Sequence, residues 1–157
     1  MAVPVIIKIA LFSQSIFVGG NVIISGVFIP SILQNYHSDT AQAKQWVKLY
    51  DDCSKIMGFS ALVSFGIYFY EVLFDNVTRE FRNACMISGI ASIAVIPFTA
   101  LFILPTVKKL KEIAKINNVE EIKTTGLQSH ISTWNKLSIA RAAIFTVGFV
   151  NSLANFV

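Results

Sequence analysis

The chain has 157 residues, 54% of them hydrophobic and only 14% charged, with a net charge of +4 and a mean hydropathy of +0.63. A soluble domain carries about a quarter charged residues, so water is not the main solvent of this chain. The thinly spread positive charge is no nucleic-acid footprint, and two cysteines give no zinc-ligand spacing.

Taken in chain order, four apolar blocks cover about residues 3–33, 56–74, 84–107 and 137–157. About 20 residues at 1.5 Å each cross a ~30 Å hydrocarbon core, and lipid offers no partner to backbone polar groups, so each block must be a helix. The expected fold is an all-α integral membrane four-helix bundle, forming a single transmembrane domain over residues 1–157. The first block is too long, and too polar at Asn21, for a cleaved signal peptide, and none is expected. Within it Gly19, Gly20, Ser25 and Gly26 offer small surfaces for close helix approach.

The first connection contains one short interfacial helix, predicted over 40–55. There Ala43, Trp46, Val47 and Tyr50 make an apolar face, and Lys44, Lys48, Asp51 and Asp52 face water. Trp46 and Tyr50 read as headgroup-level anchors. Span three contains Pro97 and Pro105, each of which removes a backbone hydrogen bond and kinks or ends a helix, with Gly89, Ala91 and Ser92 as packing surface. Residues 107–116 extend it as a lysine-rich helix that Asn117-Asn118 ends; Gly126 breaks the chain again before a helical start near 129–133. Cys53 and Cys85 fall at opposite membrane faces and cannot pair within one subunit.

Charge sets the orientation. Lys44, Lys48 and Lys55 in the first connection, and Lys108, Lys109, Lys111, Lys115, Lys123 and Lys136 in the third, share one face of a four-span chain. The positive-inside rule places that face in the cytoplasm and both termini outside or in a lumen. The sequon Asn76-Val77-Thr78 lies in the short non-cytoplasmic connection, making Asn76 a glycosylation candidate. This favours the endoplasmic reticulum, secretory pathway or plasma membrane as the location.

Polar groups at membrane depth face a bundle interior or a cavity. Counted from the cytoplasmic end, Arg141 lies about one turn into span four, Thr99 two turns into span three, and Asn21 two to three turns into span one. These three are expected to converge. At the other edge Glu71 and Lys8 are candidate ion-pair partners, with Asn151 and Asn155 nearby. His130, Trp134, Leu137 and Arg141, at spacings of four, three and four, occupy one stripe of the last helix. Such a stripe suits a flat, partly anionic ligand: Trp134 stacks, Arg141 holds an oxyanion and His130 moves a proton. Against this stands the plainer reading, with Trp134 an interface anchor, Arg141 snorkelling to headgroups and His130 solvated.

The segments GVFIPSIL (26–33), IPFTALFILPTVKKL (96–110) and STWNKLSIAR (132–141) resemble the anthrone oxygenase-like family of small four-helix membrane proteins. In that family a proline ends span one, here Pro30. Span three carries Pro-x-Thr, here Pro97 and Thr99, and span four opens with Trp-x-x-Leu-x-x-x-Arg, here Trp134, Leu137 and Arg141. The chain departs from the pattern at Thr106-Val107-Lys108, where members often carry Asn. From its characterised fungal members the resemblance implies oxidation of an anthrone to an anthraquinone by dioxygen, with no metal, flavin or other cofactor. Catalysis would fall to Arg141 and His130, and substrate binding to Trp134, Thr99 and Asn21. The base is left unassigned between His130 and a distant Glu71. Partners would be membrane lipids, a lipophilic small molecule, and a membrane protein or a second copy of the chain. The competing reading is a non-catalytic accessory or scaffold subunit of a larger complex, suggested by the lysine-rich face and the scarcity of acid and base groups in the core. A transporter or channel ranks third, because no inverted repeat or charged midplane pathway is visible.

Overall fold

The computed structural model describes residues 4–34, 38–74, 78–116 and 118–157. Four helices are long and apolar enough to cross a membrane: α1 (Val5–Leu33), α2 (Asp39–Phe74), α3 (Arg79–Ile113) and, after the short α4 (Val119–Thr124), α5 (Leu127–Phe156). Short connections make sequence neighbours antiparallel partners. The four long helices accordingly form a ring in which each packs on the next and α5 closes back on α1. The all-α four-helix membrane architecture is thus the one expected.

Local chemistry sets the ends. Thr78 Oγ1 accepts from the Phe81 N–H at 3.4 Å to cap α3, and Asn118 Oδ1 accepts from the Glu120 N–H at 3.0 Å to cap α4. Gly126 has φ 66°, a left-handed conformation in which a side chain is strained, and α5 begins directly after it. Asn76 and Asn117 lie outside the described residues.

The surface is the inverse of a soluble protein's. Phe12, Phe59, Leu101 and Phe74 are among many exposed large apolar side chains, whereas Gln14, Asn21, Ser64, Ser88, Ser92, Arg141 and Ser152 are buried. Between α helices in lipid, interior packing and hydrogen bonds replace the hydrophobic drive. At the bundle centre the Tyr68 hydroxyl donates to Gln14 Oε1 (3.0 Å) and lies 2.7 Å from Ser152 Oγ, which bonds Ser88 Oγ at 2.7 Å. Gln14 Nε2 donates to Ser92 Oγ (3.4 Å), and Asn151 Nδ2 donates to Ser88 Oγ (2.8 Å) and the Ala84 carbonyl (2.9 Å). One polar ladder therefore ties all four long helices.

Four expectations change. The predicted helix over 40–55 exists, but it is the start of the unbroken α2 and not a separate interfacial element, because no glycine or proline interrupts it before Gly58. Its apolar face meets protein instead of lipid. Ala43 and Trp46 are fully buried in a core shared with Leu110 and Ile113 of α3, Ile122 of α4 and Ile131 of α5. Pro30 does not end span one, since the helix continues to Leu33. Gly19 and Gly26 approach nothing, whereas Gly20, Gly89 and the unremarked Gly148 mark the close contacts. Among the described residues, ion pairs join Lys111 to Asp51 and Lys123 to Glu120. Cys53 and Cys85 are free thiols.

Gly148 sits at a close helix crossing against rigid neighbours. A Cβ there would stand 2.7 Å from the Ala91 Cβ and 3.2 Å from the Ser88 carbonyl oxygen, neither of which belongs to a flexible side-chain end. Gly148→Ala is expected to destabilise the bundle by about 1–3 kcal/mol through overpacking. Gly66→Ala, where a Cβ meets nothing within 4 Å, should leave it unharmed. Thermal unfolding of the two variants in detergent checks the pair.

Candidate functional site

Two prolines shape the polar layer of the bundle. Pro30 and Pro105 lack an N–H, and the proline ring crowds the carbonyl four residues back. In both helices the turn before the proline widens to π geometry. The Ile29 N–H bonds the Ile24 carbonyl and the Leu104 N–H bonds the Thr99 carbonyl, each five residues back. Single π turns of this kind recur at functional sites. Here one follows Asn21 and the other starts at Thr99.

Arg141 of α5 meets both. Its Nη1 donates to Thr99 Oγ1 at 3.4 Å, and its Nη2 donates to Asn21 Oδ1 and Ser138 Oγ, each at 3.3 Å. Ser138 Oγ donates to Asn21 Oδ1 at 3.1 Å, and Asn21 Nδ2 donates to the Phe17 carbonyl at 2.8 Å. Thr99 Oγ1 in turn donates to the Val95 carbonyl at 2.6 Å. Asn21, Thr99 and Arg141, expected to converge from depth counting alone, are brought together by the fold.

What the guanidinium lacks is as informative. Arg141 is 9% exposed, its described hydrogen bonds all go to neutral oxygens, and its Nε has no partner. Burying an ionised group without a counter-charge is costly. Its centre lies 5.5 Å from the Phe17 ring, itself stacked on Phe145 at 4.0 Å. Arginine offers five N–H donors and these oxygens use them at long distances, so donor capacity remains for an anion.

A cavity of about 270 Å³ opens beside it, lined by Phe17, Tyr50, Met57, Val95 and Thr99 among others. That lies near the lower end of the ~300–1,000 Å³ usual for small-molecule sites. A smaller recess next to it adds Trp134, Leu49 and Cys53. The side toward the lysine-bearing connections is walled by aromatics: Trp46 stacks on Tyr50 at 5.4 Å, and Trp134 meets them edge-on at 5.2 and 6.1 Å. The indole N–H groups of Trp46 and Trp134 have no acceptor. Lys111 closes over this wall, bonding Asp51 at 2.6 Å with its Nζ 5.5 Å from the Tyr50 ring centre.

His130 lines neither space. It shares the helix stripe with Arg141, yet eleven residues at 1.5 Å place it about 16 Å away along the axis. Tyr50, Phe17 and Ser138 are the site residues that sequence reasoning missed. Ser138 was signalled by its position three residues before Arg141; Phe17 carried no signal.

The family model for anthrone oxygenases matches residues 46–151. The chain belongs to the anthrone oxygenase family. Among curated proteins, anthrone oxygenase ptaC of Pestalotiopsis fici is 23% identical over 131 residues, covering 81% of this chain and 93% of that protein. No solved structure matches the chain. In family terms Tyr50, Thr99, Trp134, Ser138 and Arg141 fall within the matched region, while Phe17 and Asn21 approach from α1, ahead of it.

That Arg141 has no carboxylate partner among the described residues makes a test of its charge. In Arg141→Met the Asn21 oxygen keeps its bond from Ser138, and the Thr99 hydroxyl keeps its bond to Val95. No polar group is orphaned and an uncompensated charge is removed. The thermal midpoint of Arg141→Met in detergent is therefore expected to equal or exceed that of the wild type. A marked fall would show that the guanidinium is a structural strut.

Proposed function

We propose that the chain oxidises a lipophilic anthrone to the corresponding anthraquinone with dioxygen, without a metal or organic cofactor. The observation that carries this reading is the buried guanidinium with no acidic partner among the described residues, set beside an aromatic-walled cavity at membrane depth. The related curated protein bears the name anthrone oxygenase.

The chemistry asks little of a protein. Loss of a proton from the central methylene carbon converts the ketone to an extended enolate. Arg141 stabilises the developing oxyanion, donors in a dry site being worth more than in water. The enolate gives one electron to dioxygen, and the carbon radical and superoxide combine into a peroxide at that carbon, which takes up a proton. Loss of the remaining hydrogen as a proton with cleavage of the O–O bond leaves the second carbonyl and releases water. Overall, anthrone and O₂ give anthraquinone and H₂O. Trp134 and Phe17 flank the flat ring system, Asn21, Ser138 and Thr99 position the guanidinium, and His130 is too remote to take part. The Tyr50 phenol, which lines both spaces with Arg141, is the group we assign as a second hydrogen-bond donor to the developing oxyanion, while the first proton leaves to solvent water.

The lysine distribution supports a cytoplasmic face at Lys111 and Lys115 and non-cytoplasmic termini, in an endomembrane or the plasma membrane. The accessory-subunit reading draws on one feature, a groove lined by Lys44, Lys48, Lys111 and Lys115 that would suit an acidic partner.

Purified protein in phosphatidylcholine vesicles, given anthrone and air, is expected to consume oxygen and form anthraquinone above the rate of empty vesicles. Arg141→Met should lower kcat/KM by about 10²–10³, the cost of losing an oxyanion donor. Tyr50→Phe should lower kcat by about 10²–10³, as loss of a second oxyanion donor does. Turnover equal to that of empty vesicles would reject the reading in favour of the accessory role.

A further inference from the structure

We infer that ligands reach the Arg141 cavity sideways from the lipid, through a mouth between α2 and α3 whose width is set by Gly58 and Ala100. This rests on the cavity being the ligand site, not on the reaction run there. Ser54, Gly58 and Ala61 on α2, and Ile96, Ala100 and Leu104 on α3, recur at helical spacing and line the cavity from two sides. Gly58, Ile96, Ala100 and Leu104 are exposed, whereas Phe17, Met57, Val95 and Arg141 behind them are buried. The cavity therefore runs from the guanidinium out to the surface.

The opening lies where the helices part. α2 packs along the first part of α3 and again touches its end, but hardly meets the π turn Thr99–Ile103 between them. The widened turn ahead of Pro105 is thus the local cause of the gap. Around it stand the exposed side chains Phe59, Leu62, Leu101 and Phe102, so the medium outside is hydrocarbon. On the aqueous side the Trp46, Tyr50 and Trp134 rings and the Lys111–Asp51 pair cover the cavity. Between the large exposed side chains Phe59, Leu62, Leu101 and Phe102, glycine and alanine at the mouth leave room for a flat ring system. A Cβ at Gly58 would meet nothing within 4 Å, so a larger residue there fills the mouth without forcing the fold. The ligand class that can use this route is planar, uncharged outside the site and soluble in the bilayer; sulfonated or glycosylated analogues cannot.

Trp46 and Trp134 are the chain's two tryptophans, so their fluorescence reports the site whether or not any reaction occurs. The comparison is wild type, Gly58→Leu and Gly66→Leu in vesicles of phosphatidylcholine brominated at mid-chain. Gly66 is an exposed glycine on the same helix with equally open space, and it does not line the cavity. Brominated lipid is expected to quench the wild type and Gly66→Leu alike and Gly58→Leu clearly less, with aqueous iodide a weak quencher of all three. Anthrone kcat/KM in the same vesicles should fall about tenfold in Gly58→Leu alone, equivalent to ~1.4 kcal/mol on the entry barrier. Quenching indifferent to Gly58→Leu, or iodide quenching as strong as that by lipid, overturns the lateral route even if anthrone is oxidised. Lost quenching in Gly58→Leu with no oxidation by any form keeps the route and removes the reaction.

Discussion

Hydrocarbon supplies neither donors nor acceptors, so each polar group buried in this bundle must find its partner inside the protein. Two polar layers answer that constraint differently. In the ladder of Gln14, Tyr68, Ser88, Ser92, Asn151 and Ser152, each side chain has a described partner and the layer is closed. In the layer of Asn21, Thr99, Ser138 and Arg141 the oxygens are taken, while Arg141 Nε and the nearby Trp46 and Trp134 N–H groups are not. All three orphaned groups among these site residues are donors. A closed layer serves packing; a layer with surplus donors and a net positive charge keeps unused capacity for an acceptor.

The prolines make the second layer different from the first. A regular α-helix at Pro30 and Pro105 would drive the ring into a carbonyl, and the π turns relieve that clash by adding a residue to the turn. The extra residue at 99–103 also carries α3 away from α2. One backbone adjustment therefore places Thr99 under the guanidinium and opens the space beside it. The ladder, distant from both prolines, lies between regular helices that approach closely enough for Gly148 to be required.

Much of this was legible from residue depth. Asn21, Thr99 and Arg141 stand out in apolar blocks, and counting from each block's end put them one to three turns in from the same face, close enough to converge. Gln14, polar in the same apolar block as Asn21, was passed over, and so was its partner Tyr68, because a tyrosine in an apolar block is unremarkable. Periodicity assigned the apolar face of residues 40–55 correctly but could not say what covers it, and so Trp46 and Tyr50 read as lipid anchors, whereas Trp46 is fully buried in the protein core and Tyr50 is half-buried against it. His130 fails for the complementary reason. Spacings of four, three and four fix a face of a helix and are silent about distance along it. Phe17 is one apolar residue among many, and only the packing singles it out.

The uncompensated charge also bears on which form of a ligand the site prefers. A neutral ketone entering the cavity would leave the guanidinium as unbalanced as before. An enolate would neutralise it at short range in a medium of low dielectric, where opposite charges attract strongly. The gain is confined to the deprotonated species and to the transition state leading to it, which is the condition for binding energy to accelerate a reaction instead of merely holding a substrate. A carboxylate beside Arg141 would stabilise the empty bundle and cancel that difference. On the proposed reading, the missing acidic partner is what lets a bundle of four helices, furnished with little beyond an arginine and aromatic walls, drive proton loss from carbon.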